Sequence, residues 1–161
     1  MSAKIIIIGN EILSGFTQDV NSHFLIKSLS EKGVSVENVV FVRDDVSSII
    51  KELIDLKSIN FIFLTGGLGP TSDDVTSKAL TLFFDKKKPQ LIKNKLGTAT
   101  GLWYKKGKKN YFALPGVPSE MKAMTLELFS VFFERNTKNE SFFQINTIGI
   151  PERKLSQLLS S

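Results

Sequence analysis

Short apolar runs alternate with amphipathic stretches along the first half of the chain. Three runs have the composition of buried strands, namely Lys4 to Gly9, Val34 to Val42 and Phe61 to Leu64. Apolar residues at helical spacing predict three helices, which run from Asp19 or Asn21 to about Lys32, from Asp44-Asp45 through Leu56, and from Val75 to Phe84. This β-α-β-α-β-α order predicts a parallel sheet with helices on both faces.

The second half of the chain has a different pattern. Leu102 to Lys105 and Asn110 to Leu114 flank Lys106-Gly107-Lys108, which is typical of a β-hairpin. A tight turn at Pro115 then leads into a helix predicted from about Ser119 to Glu134.

Two further elements are predicted near the end of the chain. Phe142 to Ile150 alternates as a strand, and Pro151-Glu152 begins a helical pattern. We therefore expect one α/β domain over residues 1–161, a three-layer α/β/α sandwich with a mostly parallel sheet and a small β-hairpin. Residues 151–161 can also be interpreted as the start of a truncated following segment.

Composition narrows the class of protein. The 161 residues are 42% hydrophobic and 23% charged, which suits one globular domain. No apolar run approaches the roughly 20 residues of a membrane helix, and Met1 leads straight into a strand, so we expect a cytoplasmic protein. The absence of cysteine excludes disulfides, thiolate metal sites and cysteine nucleophiles.

The net charge of +5 comes largely from lysine clusters. These lysines flank turn-like residues and are not regularly interleaved with aromatic residues. A solvated surface explains them better than nucleic-acid binding does.

The segment after the third strand carries the strongest functional signal. Thr65-Gly66-Gly67-Leu68-Gly69-Pro70-Thr71-Ser72-Asp73-Asp74 is a glycine-rich turn that ends in two carboxylates and then a helix. Glycine permits unusual backbone angles and close approach of a ligand, and main-chain N–H groups at such a turn favour phosphate. Because Asp73 and Asp74 have the wrong sign to bind phosphate, a divalent cation between carboxylate and phosphate is the natural inference.

Four loops are expected to meet at the carboxyl edge of the sheet, where ligands of open parallel sheets bind. They are Gly9-Asn10-Glu11, Arg43-Asp44-Asp45, the glycine-rich turn, and Pro115 to Glu120. Each carries glycine or an acidic residue at a strand exit. This is the arrangement that a site for phosphate and metal requires.

Structural explanations compete with each of these assignments. Helix capping alone could explain Asp44, Asp45 and Asp73. It explains Asp74 less well, because a second carboxylate beside a cap adds repulsion and little stability. Glu11 could be a solvated loop residue. The turn at Pro115 could be only rigid backbone, although the helix start behind it is a second candidate anion site.

The aromatic pair Trp103 and Tyr104 has two interpretations as well. The rings could stack on a planar base, but packing in the hairpin or core is favoured.

The ordered motifs resemble the molybdopterin-binding, MoaB/MogA-like family, and in particular the N-terminal domain of CinA (competence/damage-inducible) proteins. Besides the glycine-rich turn, the matching motifs are Gly9-Asn10-Glu11-Ile12-Leu13-Ser14-Gly15, Asp19-Val20-Asn21-Ser22, Gly97-Thr98-Ala99-Thr100-Gly101 and Leu114-Pro115-Gly116-Val117-Pro118-Ser119-Glu120-Met121. Two features depart from the family pattern. The segment between Phe84 and Asn94 is short, and Thr100 replaces a usual proline.

The resemblance implies binding of a phosphorylated nucleotide or pterin. Within the family, Asp44 and Asp74 match the two functional aspartates of molybdopterin adenylyltransferases, and the CinA-type domain is associated with metal-dependent hydrolysis of nucleotide diphosphates such as ADP-ribose. The resemblance and the residue pattern together predict that Asp44 and Asp74 are catalytic residues. They also predict that a divalent ion, Mg²⁺, Mn²⁺ or Co²⁺, is bound by Asp44, Asp73 and Asp74. The predicted substrate- and phosphate-binding residues are Gly9, Asn10, Glu11, Thr65, Gly66, Gly67, Gly69, Pro70, Thr71, Ser72, Gly97, Gly116, Pro118, Ser119 and Glu120.

The expected function is thus hydrolysis of a nucleotide pyrophosphate such as ADP-ribose with a divalent metal. One alternative is molybdopterin binding or adenylylation in molybdenum cofactor biosynthesis. Another is a non-catalytic nucleotide-binding remnant, which the short segment and Thr100 favour. The resemblance also implies a homo-oligomer, either a dimer or a trimer.

Overall fold

A computed structural model describes residues 1–69, 74–133, 149 and 151–159 of the chain. The strands are β1 (Ser2–Ile8), β2 (Ser35–Val42), β3 (Phe61–Thr65), β4 (Gln90–Ile92), β5 (Gly101–Lys106) and β6 (Lys109–Leu114). The helices are α1 (Asn10–Leu13), α2 (Asn21–Ser30), α3 (Val46–Leu53), α4 (Val75–Phe83), α5 (Pro118–Phe133) and α6 (Glu152–Leu159).

The strands form one sheet in the order β2-β1-β3-β6-β5-β4. The four strands β2, β1, β3 and β6 are parallel, and β5 is antiparallel to both β6 and β4. The predicted mostly parallel sheet and its hairpin are therefore confirmed, with the hairpin pairing extended to Lys106 and Lys109.

Each face of the sheet carries one core cluster. On the first face, α2 and α5 contribute residues such as Leu25 and Met124. On the second face, α3 and α4 contribute residues such as Ile49 and Leu80. Two helical layers with the sheet between them are the predicted α/β/α sandwich.

The isoleucine run of β1 follows from this arrangement. Ile5 and Ile7 belong to the first cluster, while Ile6 and Ile8 belong to the second. Successive side chains of a strand point to opposite faces, so a strand covered on both faces needs a continuous apolar run.

Some boundaries and elements differ from the prediction. The helix expected through Leu56 ends at Leu53, since Ile54 is extended and Asp55 has a positive φ of 54°. Neither the four-residue α1 nor the three-residue β4 was predicted, because elements this short show no periodicity. The strand expected at Phe142 to Ile150 lies outside the described residues except at Gly149, which forms a bend.

The aromatic pair of the hairpin serves packing. The Trp103 ring lies against Phe112 and Phe132, and its Nε1–H donates to Asn110 Oδ1 at 3.1 Å. Tyr104 is buried and stacks on Phe84 with ring centroids 4.3 Å apart. The favoured structural interpretation of both rings is confirmed.

No helix in the described part of the chain has the length and apolar character needed to cross a membrane.

Candidate functional site

A cleft of about 430 Å³ opens at the carboxyl ends of β1, β3 and β6. Its lining residues are Ile7, Ile8, Glu11, Ile12, Thr17, Gln18, Asp19, Val20, Asn21, Thr65, Gly66, Gly67, Leu68, Gly69, Asp74, Gly116, Val117 and Pro118. The strands β1 and β3 are neighbours in the sheet. The long helix that follows β1, α2, packs on one face of the sheet, whereas the helix that follows β3, α4, packs on the other. Such a switch point leaves a crevice between the two strand exits, where ligands bind in open α/β sheets.

The glycine-rich turn at this cleft is packed tightly against the end of β1. Gly66 has φ 101°, and a Cβ atom on it would collide with the carbonyl oxygen of Ile8. The turn is also tied to α4, because the Thr76 hydroxyl donates to Gly66 O at 2.7 Å and the Thr76 N–H donates to Gly67 O at 3.1 Å. At Gly66, glycine is required by contact with the protein itself.

Gly67 brings the two predicted catalytic loops together. A Cβ atom on Gly67, whose φ is 58°, would lie 2.7 Å from both Asp44 Oδ1 and Thr76 Oγ1. Asp44 is not among the residues lining the cleft, but it contacts the turn at its edge. Asp74 lines the cleft, and the N–H of Gly69 donates to its carboxylate.

The carboxylates at this turn influence one another. Burial raises the pKa of Asp44, and the charges of Glu11 and Asp45 raise it further. Burial also raises the pKa of Asp74, and the charge of Asp44 adds to this increase. Hydrogen bonds from Ser77 and Gly69 and the charge of Lys78 act in the opposite direction but do not cancel it. A positive charge beside this acidic group would favour its ionised form.

Helix capping divides the aspartates differently from the expectation. Asp45 caps α3, because its carboxylate accepts from the Ser48 N–H at 2.8 Å. Hydrogen bonds from Ser47 and Ser48 lower the pKa of Asp45 to about 2. Asp74 itself caps α4 and accepts from the Ser77 N–H at 2.7 Å. The expectation that Asp74 stands beside a cap is therefore wrong.

The loop after β1 is connected to the loop after β2. Asn10 Oδ1 accepts from the Asp44 N–H at 3.3 Å, and the Gly9 N–H donates to Val42 O at 3.3 Å. Gly9 is buried, whereas Glu11 is exposed and lines the cleft. Together with the contact of Asp44 with Gly67, these hydrogen bonds hold three of the four predicted loops at one edge.

The fourth loop reaches the cleft only through its first part. Gly116 and Pro118 line the cleft, and a Cβ atom on Gly116 would lie 3.2 Å from Gly66 Cα. Among the described residues, neither the N–H of Gly116 nor that of Gly67 has a hydrogen-bond acceptor. These two N–H groups are therefore available to an anion.

The remaining predicted residues lie elsewhere or outside the description. Ser119 is exposed and does not line the cleft. Asn94 joins Gly97 to Glu120 in a separate cluster, accepting from the Gly97 N–H at 3.1 Å and donating to Glu120 Oε2 at 2.6 Å. Pro70, Thr71, Ser72 and Asp73 lie outside the described residues.

Asn21 is a residue of the cleft that sequence reasoning did not include in the site. Its Nδ2 donates to Thr65 Oγ1 at 3.1 Å and to Gly116 O at 2.8 Å. The motif Asp19-Val20-Asn21-Ser22 is shared with the family and predicts a helix start, which is correct since α2 begins at Asn21, but no binding role was assigned to Asn21. The contact with Gly116 spans 95 positions and has no local signal in the sequence.

Comparison with known proteins identifies the family of this chain. Residues 4–135 match the family model described as a probable molybdopterin binding domain. A CinA-like protein of Amoebophilus asiaticus is 32% identical over 200 residues, which take in 99% of this chain and 48% of that protein. A CinA-like protein of Flavobacterium psychrophilum is 33% identical over 158 residues, with 76% of this chain and 38% of that protein covered.

Solved structures show the same fold. The crystal structure of CinA from Thermoplasma acidophilum, titled as of unknown function, matches with a TM-score of 0.75 at 28% identity, over 81% of this chain and 96% of that one. The molybdopterin biosynthesis enzyme MoaB of Thermus thermophilus matches with a TM-score of 0.71 at 21% identity, over 81% and 91%. The chain spans less than half the length of the two curated relatives given above. By its motifs, its fold and the match over residues 4–135, the chain belongs to the family of probable molybdopterin binding domains and is similar to CinA-like proteins.

Proposed function

We propose that this domain binds a nucleotide pyrophosphate such as ADP-ribose in the cleft and hydrolyses it with the help of a divalent metal ion. The observation that carries the proposal is that Asp44 lies against Gly67 and Asp74 accepts from the Gly69 N–H, so both carboxylates lie at the glycine-rich turn, near the N–H groups of Gly67 and Gly116. N–H groups suit phosphate oxygens, whereas the carboxylates require a cation between themselves and the phosphate.

The donor set at the turn fits Mg²⁺, Mn²⁺ or Co²⁺. No group of three or more histidine and acidic side chains among the described residues could hold a metal ion. Mg²⁺, however, is commonly bound through one or two carboxylates together with substrate phosphates and water. Asp44 and Asp74 supply two carboxylates whose pKa values are raised by burial and by neighbouring negative charge, and a cation relieves both effects. Asp73 remains a predicted third ligand.

The chemistry divides between the cation and the chain. When bound, a divalent ion polarises the phosphoryl oxygens and lowers the pKa of water. The N–H groups of Gly67 and Gly116 donate hydrogen bonds to phosphate oxygens and hold them in place. The carboxylates of Asp44 and Asp74 would hold the cation next to the phosphate. Water adds to one phosphorus atom, the bond from that phosphorus to the bridging oxygen breaks, and the two protons of the water pass to solvent or remain on the two phosphomonoester products, according to pH. For ADP-ribose, the products are AMP and ribose 5-phosphate.

The first experiment incubates the full chain with ADP-ribose and Mg²⁺, Mn²⁺ or Co²⁺ and identifies the products by mass spectrometry. Asp44→Asn and Asp74→Asn are expected to abolish turnover with the fold intact. Asp55→Asn is a matched control, because Asp55 is an exposed aspartate at positive φ, a conformation that asparagine adopts readily. Unchanged metal-dependent turnover in the Asp74 variant would reject the assignment.

A second candidate function is the binding or adenylylation of molybdopterin, which the family match over residues 4–135 favours. Pterin fluorescence that copurifies with the protein, together with no hydrolysis of ADP-ribose, would select this function.

A third candidate is a nucleotide-binding domain without activity. The Amoebophilus alignment runs over 200 residues but takes in 99% of a chain of 161 residues, so the relative has additional residues within the matched region. This candidate predicts calorimetric nucleotide binding without product after prolonged incubation with each metal.

A further inference from the structure

Both amide hydrogens of Asn21 are used by the protein. Nδ2 donates to Thr65 Oγ1 at 3.1 Å and to the carbonyl oxygen of Gly116 at 2.8 Å. The Thr65 hydroxyl donates its own proton to Pro115 O at 2.8 Å, so its oxygen can only accept from Asn21. Two acceptors facing one end of the amide identify that end as nitrogen and the other as oxygen.

The amide oxygen of Asn21 has no such partner. Asn21 is 6% exposed, and its Oδ1 is the one buried side-chain nitrogen or oxygen atom among the described residues that lacks a hydrogen bond. Buried acceptors are normally paired, since an unpaired one destabilises the fold. This acceptor belongs to a residue that lines the cleft, as Gly66 and Gly116 do.

The surroundings of Asn21 exclude a phosphate group as its partner. The N–H groups of Asn21 and Ser22, which open α2, already donate to Asp19 Oδ1 at 3.0 and 3.2 Å. This side of the cleft therefore has the Asp19 carboxylate and the unpaired Asn21 amide oxygen, while the N–H groups of Asn21 and Ser22 are already used. An acceptor-rich wall repels phosphate oxygens and attracts a hydrogen-bond donor.

We propose that Asn21 is a specificity-determining residue whose Oδ1 accepts a hydrogen bond from a neutral donor on the ligand, either a sugar hydroxyl or an N–H of the base. The inference rests on the proposed function, because it assumes that the cleft binds a phosphorylated nucleoside. The phosphate lies against the glycine loops, and the donor lies against Asn21. The cleft thereby discriminates between ligands with the same phosphate.

The test is a calorimetric titration of the full chain, with Mg²⁺, using AMP and three analogues that each lack one donor. These analogues are 2′-deoxy-AMP, 3′-deoxy-AMP and purine riboside monophosphate, which lacks the amino group of the base. We expect one deletion to weaken binding by about 10- to 100-fold, as for loss of a buried hydrogen bond, and the others to change it little. The sensitive analogue distinguishes hydroxyl from amino recognition.

Variants separate recognition from structure. In Asn21→Ala, the sensitive analogue and AMP are expected to bind equally. Thr65→Val is the matched control, because it removes one partner of Nδ2 but keeps Oδ1, and it should preserve the ratio of the two affinities. Equal loss of discrimination in both variants would overturn the proposal.

The wild-type series decides the matter even if Asn21→Ala fails to fold. If AMP binds and no deletion weakens it, Asn21 does not recognise a donor, a bound water satisfies Oδ1, and the proposed function stands. If AMP and ADP-ribose both fail to bind, the proposed function fails and this inference fails with it.

Discussion

At the scale of single residues, Asp74 has two roles that compete for its carboxylate. It caps α4 through the Ser77 N–H at 2.7 Å, and it lines the cleft beside Asp44 and Gly69. A capping residue needs only an oxygen acceptor, whereas a metal ligand needs negative charge. Asparagine and alanine therefore separate the two roles.

Asp74→Asn is expected to keep the stability of the domain and to lose turnover. Asparagine is as good a cap as aspartate, while Asp74→Ala removes the cap and costs about 1 kcal/mol of the free energy of unfolding. Urea unfolding of the three proteins measures this difference. Equal destabilisation by both substitutions would contradict the capping role.

Asp44 is expected to limit stability at neutral pH. Because its folded pKa is raised above the ordinary 3.8, the folded state favours the protonated form. The carboxyl therefore contributes stability below pH 3.8, and this contribution is lost as the pH rises through the raised pKa. Asp44→Asn should raise the midpoint of urea unfolding at pH 7 and lose that advantage near pH 3. A loss of stability at pH 7 would contradict this account.

Asp45 should behave in the opposite way. Its pKa is lowered to about 2 by hydrogen bonds with Ser47 and Ser48, so its stabilising effect is present above pH 3.8 and is lost as the pH falls towards 2. Asp45→Ala should reduce stability at pH 7, and the difference from wild type should shrink as the pH falls to about 2. Unfolding curves across this range test the sign, and a difference that grows as the pH falls would refute it.

The sequence predicted the chemical types in the site better than their contacts. The loop after β2, the glycine-rich turn and the family resemblance predict Asp44 and Asp74, and the structure places Asp44 against Gly67 and Asp74 against Gly69 of the same turn. Asn21 lies in a motif shared with the family, but its position beside Gly116 has no local signal, because the hydrogen bond between them spans 95 positions. Local patterns report caps and turns, whereas such a contact exists only after the sheet has formed.

At the scale of elements, the glycine-rich turn positions Asp44. Gly67 and Gly107 have nearly the same φ, at 58° and 61°, but only Gly67 has neighbours within 4 Å of an added Cβ atom. Alanine at either position carries the strain of a positive φ. Only Gly67→Ala also displaces Asp44 or Thr76.

We therefore expect Gly67→Ala to destabilise the domain by about 1–3 kcal/mol more than Gly107→Ala, as overpacking does. The measurement is urea unfolding of both variants. Turnover of ADP-ribose should fall only in Gly67→Ala, since the acidic pair is disturbed there. Equal effects of the two substitutions would show that the packing at Gly67 is unimportant.

The long elements were predictable because each repeats its hydrophobic signal several times. The isoleucines of β1 predicted a strand buried on both faces, and the clusters on the two faces of the sheet share them. Two short elements, α1 and β4, carry no such repeat and depend on contacts with the rest of the domain.

At the scale of the whole molecule, one sheet joins the two core clusters. Leu29 is fully buried in the first cluster and Ile49 in the second, yet both clusters pack on β1 and β3. Two clusters that share a sheet should unfold together.

Leu29→Ala and Ile49→Ala are each expected to cost about 2–5 kcal/mol of the free energy of unfolding. Both should shift the same single transition, observed by circular dichroism and by Trp103 fluorescence. Separate transitions for the two probes would contradict a common core.

The central claim is that Asp44 and Asp74 hold the ligand's phosphates through a divalent cation. Calorimetric titration of ADP-ribose with Mg²⁺, and again with EDTA, tests it in the wild type and in the Asp44→Asn/Asp74→Asn double variant. The account predicts that Mg²⁺ tightens binding to the wild type and leaves the double variant unchanged. The same response to Mg²⁺ in both proteins, or wild-type affinity unaffected by the metal, would contradict it.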